Sequence, residues 1–184
     1  ANYSGRVLPG TSIAGTSVAG MTRDQVVAST SQRADAATVT ITVEGTETTA
    51  SLNEAGISID ADATADAAMK GATSLPAFVR SLFSGRGVEP VMTVDEDAIR
   101  KLAATASSTL SSETRDAQVV VADDGESFTV TPSQSGDGIS ADEVSAAVKQ
   151  AGATLASVSR DASVQKTEPA ITTENARAAA AKAN

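Results

Sequence analysis

A twice-repeated order of strands and helices constrains this chain more than any other feature. In the first copy, the segment Thr38–Val43 alternates threonine with β-branched apolar residues, and a turn at Gly45 and a returning strand follow. Such alternation is typical of a strand with one buried face. A short extended link then leads into a helix, and the same order recurs with Val119–Val121, a turn at Gly125 and the segment Gly138–Ser140. Because a strand and a capped helix precede each hairpin, the unit is β-α-β-β-α, present twice.

A two-stranded hairpin cannot bury its apolar face alone. We therefore predict an α+β fold of two related lobes, each a small antiparallel sheet with helices packed on one side. The N-terminal lobe covers residues 1–86, the second lobe covers residues 87–171, and residues 172–184 begin a helix that leads to a following module. One continuous sheet is the alternative. The segment Leu75–Phe83 has apolar residues at helical spacing, so we expect it to anchor a core or the contact between the lobes.

The opening segment carries a glycine every five residues across Gly10–Gly20. Since glycine adopts positive φ easily, this spacing predicts short extended pieces separated by tight turns. A phosphate-binding loop is the competing interpretation, but the Gly-Lys-Ser/Thr ending of such loops is missing. Thr22–Gln25 and Ser140–Glu143 are both capping-box patterns, and each predicts the start of a helix.

The composition excludes several classes of function. The chain of 184 residues carries 23 acidic and 14 basic residues, a formal net charge of -9, which argues against nucleic acid and anionic membranes as partners. It has no Cys and no His, so Cys/His zinc sites, Cys nucleophiles and His-based triads are excluded. We expect no cofactor and no metal: Asp123–Glu126 lacks the alternating oxygen ligands of a calcium loop, and a hairpin turn explains it better. No apolar run reaches the ~20 residues of a membrane span.

The opening segment resembles the start of the extracellular region of VanW-like bacterial proteins. The residues that carry this resemblance are Pro9-Gly10, Ile13–Gly15, Val18–Thr22 and Gln25. From about Val88 to Ala170, the chain resembles the peptidoglycan-binding domain of those proteins, which also precedes the catalytic domain in some L,D-transpeptidases of Gram-positive bacteria. The matching features are Val88–Pro90, the helix with Leu102, the hairpin with Phe128–Pro132, and Gly138-Ile139.

This resemblance implies a cell-wall role outside the cytoplasm, behind an N-terminal membrane anchor, with peptidoglycan or a cell-wall protein as the partner. The chain departs from full-length relatives in showing no VanW-type terminal domain and no Cys of the kind that a transpeptidase needs. The segment Pro169–Glu174 resembles a junction to another module. We therefore expect a non-catalytic module, and we expect both ends of the chain to be cuts through a longer protein.

No ligand residues follow from the resemblance, so the candidate site rests on side-chain chemistry. Arg80 and Arg86 flank the predicted lobe junction, where clefts tend to form, and arginine can grip the carboxylate of a stem peptide with two hydrogen bonds. The alternative is that both are solvated charges near helix ends. Aromatic residues make up only 2% of the chain and Tyr3 is its single tyrosine, which argues against a site that stacks on sugar rings.

Three hypotheses remain open on the sequence. The first is a non-enzymatic module that binds or spaces within peptidoglycan. The second is a protein-interaction or scaffold domain that positions an attached cell-wall enzyme. The third is a hydrolase or transferase with a pair of catalytic carboxylates, although no pair stands out among the acidic residues.

Overall fold

The computed structural model describes residues 5–70, 85–110 and 114–183. These residues form a mixed α+β fold with five helices and several small sheets of two or three strands, and the helices pack against the sheets. The predicted α+β class is confirmed. The predicted helix Leu75–Phe83, which includes Arg80, lies outside the described residues, and so does Tyr3.

The opening segment forms two short strands joined by a turn, β1 (Thr11–Ile13) and β2 (Thr16–Ser17). Its glycines at positions 10, 15 and 20 have φ values of 78°, 76° and 76°, so the predicted turns are confirmed. Helix α1 (Arg23–Ala36) follows. It begins at the predicted capping box, in which the Thr22 hydroxyl accepts from the Gln25 N–H and the Gln25 side chain accepts from the Thr22 N–H.

The central sheet has three strands, and β3 (Thr38–Val43) lies in the middle. Strand β4 (Thr46–Ser51) pairs antiparallel with β3, and β11 (Val158–Asp161) pairs parallel with it on the other side. The apolar residues of β3 are at most 1% exposed, whereas its threonines are partly exposed. The alternation in the sequence therefore marks the buried face of this strand correctly.

Strand β5 (Ile57–Asp60) leads into helix α2 (Ala61–Met69), for which Asp60 is the N-cap. The chain then forms β6 (Arg86–Val88), β7 (Val91–Val94) and helix α3 (Glu96–Ser107). Strand β6 pairs parallel with β1, and β7 pairs antiparallel with β5. In the sequence, the segment Val88–Val94 predicts a single strand, in which Pro90 indicates an edge position. That prediction is wrong, because Pro90 separates two strands that belong to different sheets.

The remaining elements repeat the order of the first half. Strands β8 (Gln118–Val121) and β9 (Phe128–Thr131) form a hairpin. They are followed by β10 (Gly136–Ile139) and helix α4 (Ala141–Thr154). After β11, strand β12 (Val164–Thr167) pairs antiparallel with β10, and helix α5 (Thr173–Ala183) packs on the β8–β9 hairpin. Helix α4 begins after Ser140 as expected, but the Ser140 side chain makes no capping hydrogen bond, so the second capping box is wrong.

The main hydrophobic core draws on both predicted lobes. It combines residues of the central sheet and β5 with residues of α3 and α4, including Val39, Ile41, Val43, Ile57, Ile99, Leu102, Val144 and Val148. Strand pairs also connect the two sides of the predicted boundary between residues 86 and 87. Strand β5 lies before the boundary and pairs with β7 after it, whereas β1 pairs with β6, which contains the boundary. The division into domains 1–86, 87–171 and 172–184 stays a prediction, but hydrogen bonds and core contacts cross its first boundary. Two of the strand pairs are parallel, which the expectation of antiparallel sheets did not include.

Candidate functional site

Of the two arginines predicted to bind a ligand, Arg86 lies in the described residues. Its Nη2 donates a hydrogen bond of 2.7 Å to the Ala67 carbonyl, in the last turn of α2. Its backbone N–H donates to the Gly10 carbonyl at 2.7 Å. A guanidinium placed here stabilises the negative end of a helix dipole. The contact joins α2 to the opening segment. Ligand binding by Arg86 stays a prediction, and Arg80 is outside the described residues.

Sequence reasoning missed a second arginine, Arg33, which fixes the position of α1. Its guanidinium donates to the carbonyls of Ile13 (2.8 Å), Ala14 (3.2 Å) and Thr154 (3.1 Å). Partial burial lowers the pKa of this guanidinium from its ordinary value. The three carbonyls belong to the β1–β2 turn and to the end of α4, so one side chain ties α1 to segments far away in the sequence. Its place in the last turn of a helix was the available signal.

A small pocket lies between α1 and the turn that joins β4 to β5, and it is named the α1 pocket here. Its volume is about 80 Å³. Leu52 and Ile57 are buried and supply an apolar wall, whereas Asp35 and Asn53 are exposed. The complete lining is Ser31, Ala34, Asp35, Leu52, Asn53, Ile57 and Ile59.

Local sequence explains both walls of the α1 pocket. On α1, Ser31, Ala34 and Asp35 stand at positions i, i+3 and i+4, which share one face of a helix. On the other side, the β4–β5 turn is held by reciprocal hydrogen bonds: the Ser51 N–H donates to the Glu54 carboxylate at 2.8 Å, and the Glu54 N–H donates to the Ser51 hydroxyl at 3.3 Å. The bonds from the Ser51 N–H and hydroxyl lower the pKa of Glu54. This turn fixes the backbone that carries Leu52 and Asn53.

The lining of the α1 pocket suits a small group with one apolar and one amide end. The apolar wall can take a methyl group. The Asp35 carboxylate can accept from an amide N–H, and the Asn53 amide or the Ser31 hydroxyl can donate to a carbonyl. An acetamido group combines these three features in a few atoms, and it is carried by both sugars of peptidoglycan.

A second and wider depression lies on another side of α1, close to the opening segment. It is an open hollow of about 560 Å³ lined by Arg6, Gln25, Ser29 and Gln32, together with Ala19, Gly20, Met21 and Ala28. The Arg6 Nη1 donates to the Gly20 carbonyl at 2.8 Å, which holds the side chain at the rim. The hollow therefore presents a cation, two amides and a hydroxyl beside an apolar methionine.

The ion pair between α1 and α2 is structural. Arg23 contacts Asp62 at 3.0 Å and Asp66 at 2.6 Å; the Arg23 side chain is partly exposed, and both carboxylate side chains are more than half exposed. The bond from Arg23 lowers the pKa of Asp66. Exposed pairs of this kind contribute little to stability, roughly 0–1 kcal/mol each. They join the first residue of α1 to two residues of α2.

The acidic turn of the β8–β9 hairpin has the geometry of a hairpin turn. The Asp124 carboxylate accepts from the Ser127 hydroxyl and from the N–H groups of Glu126 and Ser127, at 2.6 to 2.9 Å. These bonds, led by the one from the Ser127 hydroxyl, lower the pKa of Asp124 to about 2. Within residues 5–70, 85–110 and 114–183, no group of three or more acidic residues could hold a metal ion. No helix in those same ranges is long and apolar enough to cross a membrane.

Comparison with known proteins assigns the chain to a family. Residues 48–157, more than half of the sequence, match the family described as "Putative peptidoglycan binding domain". The chain belongs to this family. No curated protein and no solved structure matches the chain.

The boundaries of the family match do not coincide with those of the fold. The match begins inside β4 and ends just before β11, so it omits β3, the central strand of the main sheet. It also begins before residue 87, where the sequence placed the start of the peptidoglycan-binding lobe. The β4–β5 side of the α1 pocket lies within the match, whereas α1 itself precedes it.

Proposed function

We propose that this chain is a non-catalytic module that binds peptidoglycan outside the cytoplasm. Membership of a peptidoglycan-binding family carries this proposal. The absence of Cys and His from the sequence supports the non-catalytic part, because it removes the usual nucleophile and base pairs. The α1 pocket is the proposed contact, since its lining offers a carboxylate, an amide and a hydroxyl beside apolar side chains.

In this proposal, the sugar's acetamido N–H donates to Asp35 and its carbonyl accepts from Asn53 or Ser31. The methyl group lies against Leu52 and Ile57. A net gain of about 0.5–1.5 kcal/mol for each hydrogen bond gives weak binding of a single sugar. Peptidoglycan repeats the acetamido group along each glycan strand, so many modules held near the wall gain strength from multivalency. The open hollow near Arg6 lies on the same helix and can contact the polar groups of a stem peptide.

The proposal also covers the location of the module on the cell and the domain beside it. The opening segment resembles that of VanW-like proteins, which supports a position beyond an N-terminal membrane anchor on the surface of a Gram-positive bacterium. A neighbouring catalytic domain of the L,D-transpeptidase kind is consistent with the resemblance of the second half. In that arrangement, the module would hold an attached enzyme at its polymeric substrate.

Sedimentation with purified, insoluble peptidoglycan tests the proposal. We expect the chain to sediment with peptidoglycan, and the double substitution Asp35→Ala and Asn53→Ala to reduce the bound fraction at least fivefold. The matched control is Asp142→Ala with Asn175→Ala, which removes the same two side-chain types from exposed positions on α4 and α5. Equal retention of both double variants would refute the role of the α1 pocket, and no sedimentation of the unaltered chain would refute peptidoglycan binding.

The non-catalytic part needs a separate measurement. We expect no new product when soluble muropeptides are incubated with the chain and separated by chromatography with mass detection. Release of a fragment that is lost on substitution of a particular carboxylate would instead support the carboxylate enzyme.

A further inference from the structure

The two copies of the repeat interlock in the same way. In the first copy, β5 pairs with β7, and α3, which follows β7, packs on the β3–β4 hairpin. In the second copy, β10 pairs with β12, and α5, which follows β12, packs on the β8–β9 hairpin. In both copies, the strand after the hairpin pairs with a later strand, and the helix that follows this later strand packs on the hairpin.

The first hairpin has two further partners. Strand β11 pairs parallel along the second edge of β3, from Val158 opposite Val39 to Asp161 opposite Thr42. Helix α4 also packs on β3. Together with α3, these elements bury the apolar face of β3, where Val39, Ile41 and Val43 are at most 1% exposed.

The second hairpin, β8–β9, lacks both partners in the part of the chain that the structure describes. There, β8 pairs with β9 alone. Val119 and Val121, which alternate along β8 as Val39 and Ile41 do along β3, are 40% and 60% exposed, and Val120 on the opposite face is 40% exposed. The residue before each of these strands, Ala37 or Ala117, is buried in both copies. The difference therefore begins where β11 and α4 cover the first hairpin.

We propose that the free edge and valine face of β8 dock a partner domain built from the same kind of unit. The partner supplies a parallel strand to β8 and an amphipathic helix to its valines, as β11 and α4 do for β3. Main-chain hydrogen bonds to an exposed strand edge and pockets for alternate side chains are a general mode of recognition. This surface is separate from the α1 pocket, so it does not depend on peptidoglycan binding.

The negative charge around β8 favours a partner with a basic surface. Four acidic residues and one arginine lie within residues 114–131: Asp116, Asp123, Asp124, Glu126 and Arg115. A partner strand flanked by Lys or Arg complements this surface, whereas a second copy of a chain with net charge -9 is repelled. The occupant is thus a different, more basic domain.

The test supplies β8 with a second copy of α4 and β11, the two elements that cover β3 in this chain. The complete chain is extended at its C terminus by a flexible Gly/Ser linker and a second copy of residues 141–161, which form α4 and β11. A linker of this kind raises the effective concentration of the added segment to the millimolar range. Amide hydrogen exchange is then measured by NMR at Val119 and Val121, whose N–H groups face the edge of β8 opposite β9.

We expect at least tenfold slower exchange at one or more of these amides than in the unextended chain. The matched control carries the same extension with Val158→Pro, Val144→Ser and Val148→Ser in the added copy. These changes remove an N–H that faces the partner strand in the β11–β3 register and the apolar face of the helix, so exchange should stay unchanged. A second variant carries the intact extension with Asp161→Lys in the added copy. Because this change makes the added strand more basic, exchange should be slower than with the intact extension. Unchanged exchange with the intact extension, or equal protection by the control, overturns the proposal.

Discussion

Replacing Gly56 by alanine should destabilise the protein far more than the same change at Gly15. Both glycines have positive φ, 99° and 76°, so alanine is strained at either position. A Cβ at Gly15 would meet nothing within 4 Å. A Cβ at Gly56 would lie 2.5 Å from the Asp95 carbonyl oxygen and 3.1 Å from the Ala98 Cβ. The close approach to the start of α3 is therefore the difference between the two sites.

The magnitude follows from the contacts at Gly56. At Gly15, backbone strain of about 1–2 kcal/mol is partly offset by the lower entropy of the unfolded chain, about 0.4–1 kcal/mol. Gly56→Ala adds overpacking against backbone, about 1–3 kcal/mol, because Asp95 must move. The movement also weakens the bond of 2.7 Å from the Asp95 N–H to the Gly56 carbonyl, a further ~0.5–1.5 kcal/mol. The two variants should thus differ by about 2–4 kcal/mol, a large part of the ~5–15 kcal/mol typical of a domain.

Urea denaturation monitored by circular dichroism measures this difference. We expect both variants to keep the m-value of the unaltered protein, with a much lower midpoint for Gly56→Ala. Gly45→Ala is a second control, since its φ is 84° and its Cβ would also meet nothing within 4 Å. If the free energies of unfolding of Gly56→Ala and Gly15→Ala agree within about 0.5 kcal/mol, the reasoning from the close approach is refuted.

Three further predictions concern the core, the helix starts and the acidic turn. A fragment limited to residues 48–157 lacks β3 and should show no cooperative unfolding or dispersed amide spectrum; a dispersed spectrum would show that β3 is dispensable. Thr22→Ala should lower the free energy of unfolding by about 1 kcal/mol in urea titrations, whereas Ser140→Ala should change it by less than about 0.5 kcal/mol; equal losses would contradict the capping geometry. The Asp124 carboxylate should titrate by NMR near pH 2. Since its pKa is lowered in the folded state, its stabilisation of the turn should be complete above the ordinary Asp pKa of about 4 and be lost as the pH falls towards 2; a midpoint near 4 would contradict the hydrogen bonds drawn to it.

The candidate site could be predicted only in part. The sequence pointed to peptidoglycan, and the family match supports that partner. It did not point to the α1 pocket, because Asp35 and Asn53 lie in unrelated local contexts and meet only after α1 packs beside the β4–β5 turn. Arg33 escaped notice for the same reason, since its three acceptors come from segments up to 121 residues away. The Ser51–Glu54 pair did carry a local signal, the spacing of a capping box.

What the sequence determined by itself is the local structure that depends on near neighbours. Positive φ at the spaced glycines, the buried face of β3 and the first capping box all follow from residues within a few positions of one another. The order of strands and helices in the repeat also follows from local sequence patterns. Ser140 marks the limit of this reasoning: its helix starts where the pattern predicts, but its hydroxyl makes no capping bond, and Glu143 accepts from the Ser163 N–H instead.

Only the tertiary structure decided which of these elements are neighbours. Strand β11 pairs with β3 and not with β8, although β3 and β8 are both rich in valine or isoleucine and each is the first strand of a hairpin. The pairing of segments so far apart depends on the packing of α3 and α4 over a shared core, and hydrophobic burial has no preferred sequence separation. That choice buries the first hairpin and leaves the valines of the second exposed.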